Sequence, residues 1–216
     1  MQLLKFNAGW GGQDCALCNA ASSAGLVCAE CESRLPACDP EAAQGLTHRA
    51  AFDHAFAAFE YRFPMDRLVQ RFKFSGDLAM GKWLALQLAQ RAAPLPPPDW
   101  IVAPPLTAAR LRARGFNQAL EIAKVVGKVV GARVDVAAVV KLRETAPQPS
   151  LGGRARRRNL RGAFECRRVF AGEHVAIVDD VLTTGATCEA MARVLKDAGA
   201  GRVSAWAVAL AGAGRR

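Results

Sequence analysis

The chain has 216 residues, about half of them hydrophobic (51%), and a formal net charge of +10. This length suffices for one sizeable α/β core and a small additional module. No uncharged apolar run approaches the roughly 18–20 residues that a membrane-spanning helix requires, so we expect no transmembrane segment. Lys5, Asn7 and Gly9 interrupt the start of the chain, which argues against a secretory signal and for the reducing cytoplasm. The positive charge favours a nucleic acid or a polyanionic small ligand without deciding between them.

Four cysteines near the N-terminus follow the spacing C-x2-C-x9-C-x2-C: Cys15, Cys18, Cys28 and Cys31. Two such pairs can place four thiolates tetrahedrally around one zinc ion, and a site without a carboxylate or an open position is structural rather than catalytic. Disulfides are the alternative, which a reducing compartment disfavours. Because this region is poor in aliphatic side chains, we expect metal to stabilise it. The sequence therefore predicts a zinc-binding module over residues 1–48 and a second domain over residues 49–216.

The second domain begins with a strand and two helices. A Phe-rich segment at 52–61 predicts a strand, and helices are predicted from Pro64 to about residue 74 and over 77–92. Prolines between residues 94 and 98 then end the second helix. From residue 100 onward, strands at 100–103, 134–140 and 203–210 alternate with helices. This alternation predicts an α/β fold with a parallel sheet flanked by helices.

A basic segment follows the strand at 100–103. Pro105 lies in a prolyl turn, and Arg110, Arg112 and Arg114 come directly after it. Guanidinium groups bind phosphate oxygens in a bidentate fashion, and ligands of parallel sheets bind at the carboxyl ends of strands. The sequence therefore predicts phosphate contacts here. A solvated basic helix start is the alternative.

A second basic tract is denser. Seven arginines lie between residues 154 and 168, opposed only by Glu165, and they include Arg154, Arg156, Arg157 and Arg158. This number exceeds what one phosphorylated ligand needs, so single-stranded nucleic acid is one interpretation. A solvated helix face with one or two substrate arginines is the other, and both remain open.

The most informative run covers residues 175–187. Four apolar residues predict a buried strand that ends at the adjacent carboxylates Asp179 and Asp180, and a helix is predicted over 187–198. The loop between them contains Thr183, Thr184, Gly185, Ala186 and Thr187. Backbone N–H groups at a helix N-terminus favour a phosphate, while two carboxylates accept hydrogen bonds from vicinal hydroxyls, as on a ribose. The run therefore predicts a sugar-phosphate site.

This run resembles the phosphoribosyl pyrophosphate (PRPP) motif of type I phosphoribosyltransferases. The resemblance implies that Asp179 and Asp180 bind the ribose hydroxyls, that residues 183–187 bind the 5-phosphate, and that the arginines after Pro105 bind pyrophosphate with Mg²⁺. Purine-salvage members have an aspartate where this chain has Thr183, so 6-oxopurine salvage is disfavoured and the motif offers no general base. No catalytic residue is assigned.

Further motifs are similar to those of the ComF family of competence proteins: the cysteine quartet, Lys73-Phe-Ser-Gly76, residues 114–118, Arg143 with Thr145 and Gln148, and Arg154 with Arg158. This resemblance covers nearly the whole chain. It implies a cytoplasmic protein, at or near the inner membrane, that handles single-stranded DNA with the DNA-uptake machinery during natural transformation. Two function classes remain open: a phosphoribosyltransferase with an unknown acceptor, and a non-catalytic module that senses a nucleotide or binds DNA.

Overall fold

A computed structural model describes residues 13–23, 25–143, 160 and 162–212. The chain forms two compact units, Met1–Leu35 and Pro36–Arg216. The second unit begins before residue 49 because residues 36–38 run beside its edge strand: Ala37 forms an antiparallel bridge with Phe59, and the N–H of Glu60 donates to the carbonyl of Pro36. The predicted domain boundary after residue 48 stays a prediction.

The first unit contains a short hairpin and one helical turn. Strands β1 (Gln13–Asp14) and β2 (Ala21–Ser22) pair antiparallel, and helix α1 spans Ala29–Ser33. Cys28 caps this helix, since its side chain accepts from the N–H of Cys31. The cysteine spacing did not predict these elements.

The second unit alternates helices and strands. Helix α2 spans Pro40–Gln44, a 3₁₀ turn spans Thr47–Arg49, and strand β3 (His54–Glu60) leads to helices α3 (Met65–Ser75) and α4 (Leu78–Ala92). The remaining elements are β4 (Trp100–Val102), α5 (Ala108–Arg114), α6 (Gln118–Val130), β5 (Arg133–Val134), β6 (Val139–Lys141), β7 (Phe164–Cys166), β8 (His174–Leu182), α7 (Ala186–Asp197) and β9 (Arg202–Leu210). None of the described helices is long and apolar enough to cross a membrane.

A five-stranded parallel sheet in the order β3-β9-β8-β4-β5 organises this unit. Val175 and Ile177 of the central strand β8 share one core cluster with Met191 and Leu195 of α7. Ala176 and Val178 point to the other face, where α4 and α6 contact the sheet. The predicted parallel sheet flanked by helices is confirmed.

One prediction about local structure was wrong. Strand β8 continues past Asp180, because Val181 and Leu182 pair with Ala209 and Leu210 of β9. The basic segment after Pro105 forms helix α5, and Thr107 caps it by accepting from the N–H of Arg110.

Strands β6 and β7 form a separate antiparallel ribbon on either side of the segment 144–159. Arg168, just after β7, fixes the base of this ribbon. Its guanidinium carbon lies 3.6 Å from the ring centroid of Trp100, and its Nη1 donates to Asp135 at 2.9 Å. Arg133 stacks on the same indole at 3.8 Å. The contacts of Arg168 anchor the ribbon to the main sheet, because Trp100 belongs to β4 and Asp135 follows β5.

Candidate ligand site and cysteine cluster

The acidic pair lies near the carboxyl end of β8, but its two side chains point to opposite faces of the sheet. Asp179 is in phase with Val175 and Ile177, on the face covered by α7. Asp180 is in phase with Ala176 and Val178, on the face of α4 and α6. The two carboxylates still lie close together at the strand end, because Asp180 and Lys73 both act on the pKa of Asp179, so a ligand at the strand end can contact both of them.

Asp179 is in an environment that disfavours its charge. Burial raises the pKa of Asp179 to about 7, and the neighbouring carboxylate of Asp180 adds to the effect. Its Oδ1 accepts from the N–H of Asp180 at 2.8 Å. Burial also raises the pKa of Cys188 on α7, and the charge of Asp179 contributes. Near neutral pH the acidic pair of the free protein thus carries a proton on Asp179 for part of the time.

Asp180 is paired with a cation from a distant part of the sequence. The Nζ atom of Lys73, in the last turn of α3, lies 2.9 Å from Oδ2 of Asp180. The two side chains are only 20% and 13% exposed. Solvent screens such a pair less than a surface pair. Lys73 stands in the sequence only as part of the motif Lys73-Phe-Ser-Gly76, with no predicted contact to the acidic pair, because the two partners are separated by about half of the chain.

The predicted phosphate loop adopts a geometry that suits an anion. Gly185 has a left-handed backbone (φ 68°) and is the N-cap of α7, a helix of 12 residues. A Cβ on Gly185 would lie 3.3 Å from Cζ of Phe52. Thr184 Oγ1 accepts from the N–H of Ala186, and both Thr183 and Thr187 are at least partly exposed. A left-handed residue followed by a helix N-terminus presents successive N–H groups, as in anion-binding nests.

The arginines after Pro105 are exposed residues of α5 and do not converge on one point. Arg110 and Arg114 are four residues apart and share a face, whereas Arg112 points away from it. Nη1 of Arg114 donates to Oε1 of Gln118 at 2.9 Å. Pro105 itself lines a mostly apolar cavity of about 350 Å³. Apolar walls do not favour pyrophosphate, so phosphate contacts from this segment would have to come from α5.

The four arginines of the second basic tract that are the predicted contacts to nucleic acid lie outside the described residues: Arg154, Arg156, Arg157 and Arg158. The predicted contact with single-stranded DNA through these residues stays a prediction.

In the first unit, the four predicted cysteines come together. The Sγ atoms of Cys15, Cys18, Cys28 and Cys31 all lie within 4.8 Å of one another, and those of Cys18 and Cys28 are 3.8 Å apart. A tetrahedral zinc ion with Zn–S bonds of about 2.3 Å requires sulfur atoms about 3.8 Å apart. The cluster can therefore hold one metal ion with little rearrangement.

The protonation of the cluster also points to a cation. Burial opposes ionisation of Cys15, but N–H donors, led by that of Cys28, outweigh it and lower the pKa of Cys15 to about 6. The side chain of Cys28 raises the pKa of Cys31 to about 12. Without a metal, crowded thiolates cannot all be ionised together. A bound cation removes this conflict, as expected for a structural site.

Known families and proteins match this architecture. The phosphoribosyl transferase domain matches residues 87–216. "DNA utilization protein YhgH" of Salmonella typhi is 33% identical over 201 residues, covering 89% of this chain and 88% of that protein. "Competence protein F" of Haemophilus influenzae is 29% identical over 206 residues, covering 91% of this chain and 90% of that protein.

Among solved structures, a purine phosphoribosyltransferase from Pyrococcus horikoshii is similar, with 21% identity, a TM-score of 0.39, and coverage of 61% of this chain and 72% of that chain. A likeness at this level carries no argument about ligands. The sequence relatives, the matched domain and the four-cysteine cluster agree with the expected resemblance. The chain therefore belongs to the ComF family of phosphoribosyltransferase-domain proteins with an N-terminal cysteine module.

Proposed function

We propose that the larger unit binds phosphoribosyl pyrophosphate, or a nucleotide with the same ribose 5-phosphate, at the carboxyl end of β8. The observation that carries this proposal is the combination of the Asp179–Asp180 pair with the left-handed Gly185 at the N-terminus of α7. Residues 183–187 would bind the 5-phosphate, and the two carboxylates would accept hydrogen bonds from the vicinal hydroxyls across the strand end.

The pyrophosphate half of the ligand would lie toward α5. Arg110 and Arg114, on one face of that helix, are the pair that could bind it together, and Pro105 and Arg112 would contribute less directly. Mg²⁺, bound together with the ligand, would neutralise part of the phosphate charge. The carboxylates of Asp179 and Asp180 are the nearby protein groups of the hard-oxygen type that this ion prefers.

As an enzyme, the protein would transfer a phosphoribosyl group to an acceptor. Loss of pyrophosphate leaves positive charge on the anomeric carbon, which negative groups nearby stabilise electrostatically. Asp179 and Asp180 would be the carboxylates in this role.

We further propose a role in the use of DNA. The support is the names of the relatives, which refer to DNA utilization and to competence, together with the net charge of +10. The arginines of the second basic tract are the proposed contacts to single-stranded DNA, at the cytoplasmic side of the inner membrane with the uptake machinery. The four-cysteine cluster would bind a structural zinc ion.

The alternative is a module that binds a nucleotide or DNA without turnover. It is favoured by the absence of an acidic residue at Thr183, where purine-salvage enzymes of this fold act on the base.

A ligand panel separates these functions. The melting temperature is measured with PRPP and Mg²⁺, with ribose 5-phosphate, with nucleoside monophosphates and with single-stranded DNA. Stabilisation by PRPP with Mg²⁺ and by ribose 5-phosphate supports the proposed site. Stabilisation by nucleoside monophosphates alone favours the sensing module, and a response to DNA alone would leave the ribose-phosphate site without support.

A further inference from the structure

We propose that Lys73 is a positioning residue of the ligand site, which holds the carboxylate of Asp180 in place to accept a ribose hydroxyl. This inference rests on the proposed function, because it names a residue that acts on the same site. Lys73 precedes the matched domain at residues 87–216, so the domain match alone does not include it.

The ion pair has the geometry of a fixed support. Nζ of Lys73 lies 2.9 Å from Oδ2 of Asp180, and both side chains are largely withdrawn from water. A charge-assisted hydrogen bond in such surroundings is stronger and shorter than one between neutral groups. The contact occupies one carboxylate oxygen of Asp180, and we assign the other, Oδ1, to the ligand hydroxyl.

The end of α3 is itself held in place. Phe72, next to Lys73, is fully buried and its ring lies 5.5 Å from that of Phe116. The ring of Phe72 also fits against Gly81 of α4, where a Cβ would lie 2.3 Å from Cε2. Because Gly81 of α4 and Phe116, two residues after α5, both pack on Phe72, the backbone at the adjacent Lys73 is held close to Asp180.

Without the ammonium group, Asp180 would be a buried carboxylate beside a second carboxylate. Such a group loses its charge or turns away toward water, and either change weakens it as an acceptor. Replacing Lys73 should therefore weaken binding of any ligand that carries the ribose hydroxyls. A direct contact between Lys73 and pyrophosphate would instead weaken PRPP alone.

A double-mutant cycle distinguishes these roles. Dissociation constants of ribose 5-phosphate and of PRPP with Mg²⁺ are measured for wild type, Lys73→Gln, Asp180→Asn and the double variant. Lys82→Gln, an exposed lysine on α4, is the matched control. We expect Lys73→Gln to weaken both ligands by the same factor, about tenfold or more, and to cause little further loss when Asp180 is already Asn. Lys82→Gln should bind as wild type does.

Three results would overturn the inference: unchanged affinity in Lys73→Gln, a loss confined to PRPP, or equal losses in both Asp180 backgrounds. If Lys73→Gln does not fold, the double variant is expected to fold because no unpaired carboxylate remains at position 180, and its failure to fold would also count against the inference. If wild type binds neither ligand, the proposed function itself is rejected. If wild type binds both ligands and Lys73→Gln binds them equally well, only the role of Lys73 is rejected.

Discussion

The carboxylate of Asp179 faces α7, whereas that of its neighbour Asp180 faces α3 and forms an ion pair with Lys73. The alternation of side chains along β8 causes this separation, since the strand continues to Leu182. Only Asp180 contacts Lys73 directly, whereas the pKa of Asp179 is raised by burial and by the charge of Asp180, so the replacement of each carboxylate should have a different effect.

Asp179→Asn should change how stability depends on pH. The pKa of Asp179 is about 7 in the folded protein and has its ordinary value of 3.8 when unfolded. Between these values the folded state holds a proton that the unfolded state has released, so the free energy of unfolding falls as pH rises through this window. Asparagine does not titrate. We therefore expect the free energy of unfolding of the variant, relative to that of wild type, to rise by at least about 1 kcal/mol from about pH 5 to about pH 8.

Urea unfolding at the two pH values measures this difference. Asp197→Asn, at the exposed end of α7, is the control and should keep the pH dependence of wild type. An Asp179→Asn variant with that same dependence would show that this carboxyl titrates normally.

Gly185→Ala should abolish ligand binding and also lower the free energy of unfolding. Both Gly185 (φ 68°) and Gly131 (φ 78°) are left-handed, but a Cβ meets Phe52 at 3.3 Å in the first case and no atom within 4 Å in the second. Each substitution should cost about 1 kcal/mol for the backbone. Only Gly185→Ala should also abolish stabilisation by PRPP, which thermal melting of both variants measures. Equal ligand shifts in the two variants would argue against a phosphate site at Gly185.

Cys28→Ser should release the metal. Its Sγ lies within the four-sulfur cluster, whereas Cys38 belongs to the second unit. We expect one zinc ion per chain in wild type and in Cys38→Ser, and little or none in Cys28→Ser, because three thiolates do not close a tetrahedral shell. Metal analysis of the purified proteins tests this. A folded wild type without zinc would disprove the assignment.

Replacing Arg156, Arg157 and Arg158 with Gln should weaken binding to single-stranded DNA. Each phosphate contact contributes about −0.7 to the slope of log affinity against log salt, so the slope should become shallower in the variant. Fluorescence anisotropy across a salt series provides the measurement, and stabilisation by PRPP should be retained. If the variant binds single-stranded DNA as tightly as wild type at every salt concentration, these arginines do not contact DNA, and the interpretation as a solvated helix face is favoured.

The sequence patterns that predicted this fold are local. Apolar runs at 100–103 and 203–210 identify strands because burial acts over a few residues, and the prolines between residues 94 and 98 mark the end of the helix over 77–92. The four-cysteine cluster could also be predicted from the sequence, because its ligands come from two short Cys-x2-Cys pairs. These parts required no knowledge of the tertiary structure.

The rest depended on contacts between distant residues. The end of β8 was misplaced because pairing of Val181 and Leu182 with β9 outweighs the turn preference of the loop that follows. A helix at α5 was only one of two interpretations of its sequence, because Thr107 was not recognised as an N-cap. Lys73 was not assigned to the site because nothing near residue 73 indicates that α3 ends beside Asp180.

The most direct measurement of the central proposal is the melting shift caused by PRPP with Mg²⁺ in wild type and in the variant with both Asp179→Asn and Asp180→Asn. Asparagine keeps the size of each side chain but removes the charged acceptors for the ribose hydroxyls. We predict a clear upward shift in wild type and little or none in the double variant, with both proteins folded before ligand is added. An equal shift in the two proteins would place the ligand elsewhere on the molecule and contradict the site at the end of β8.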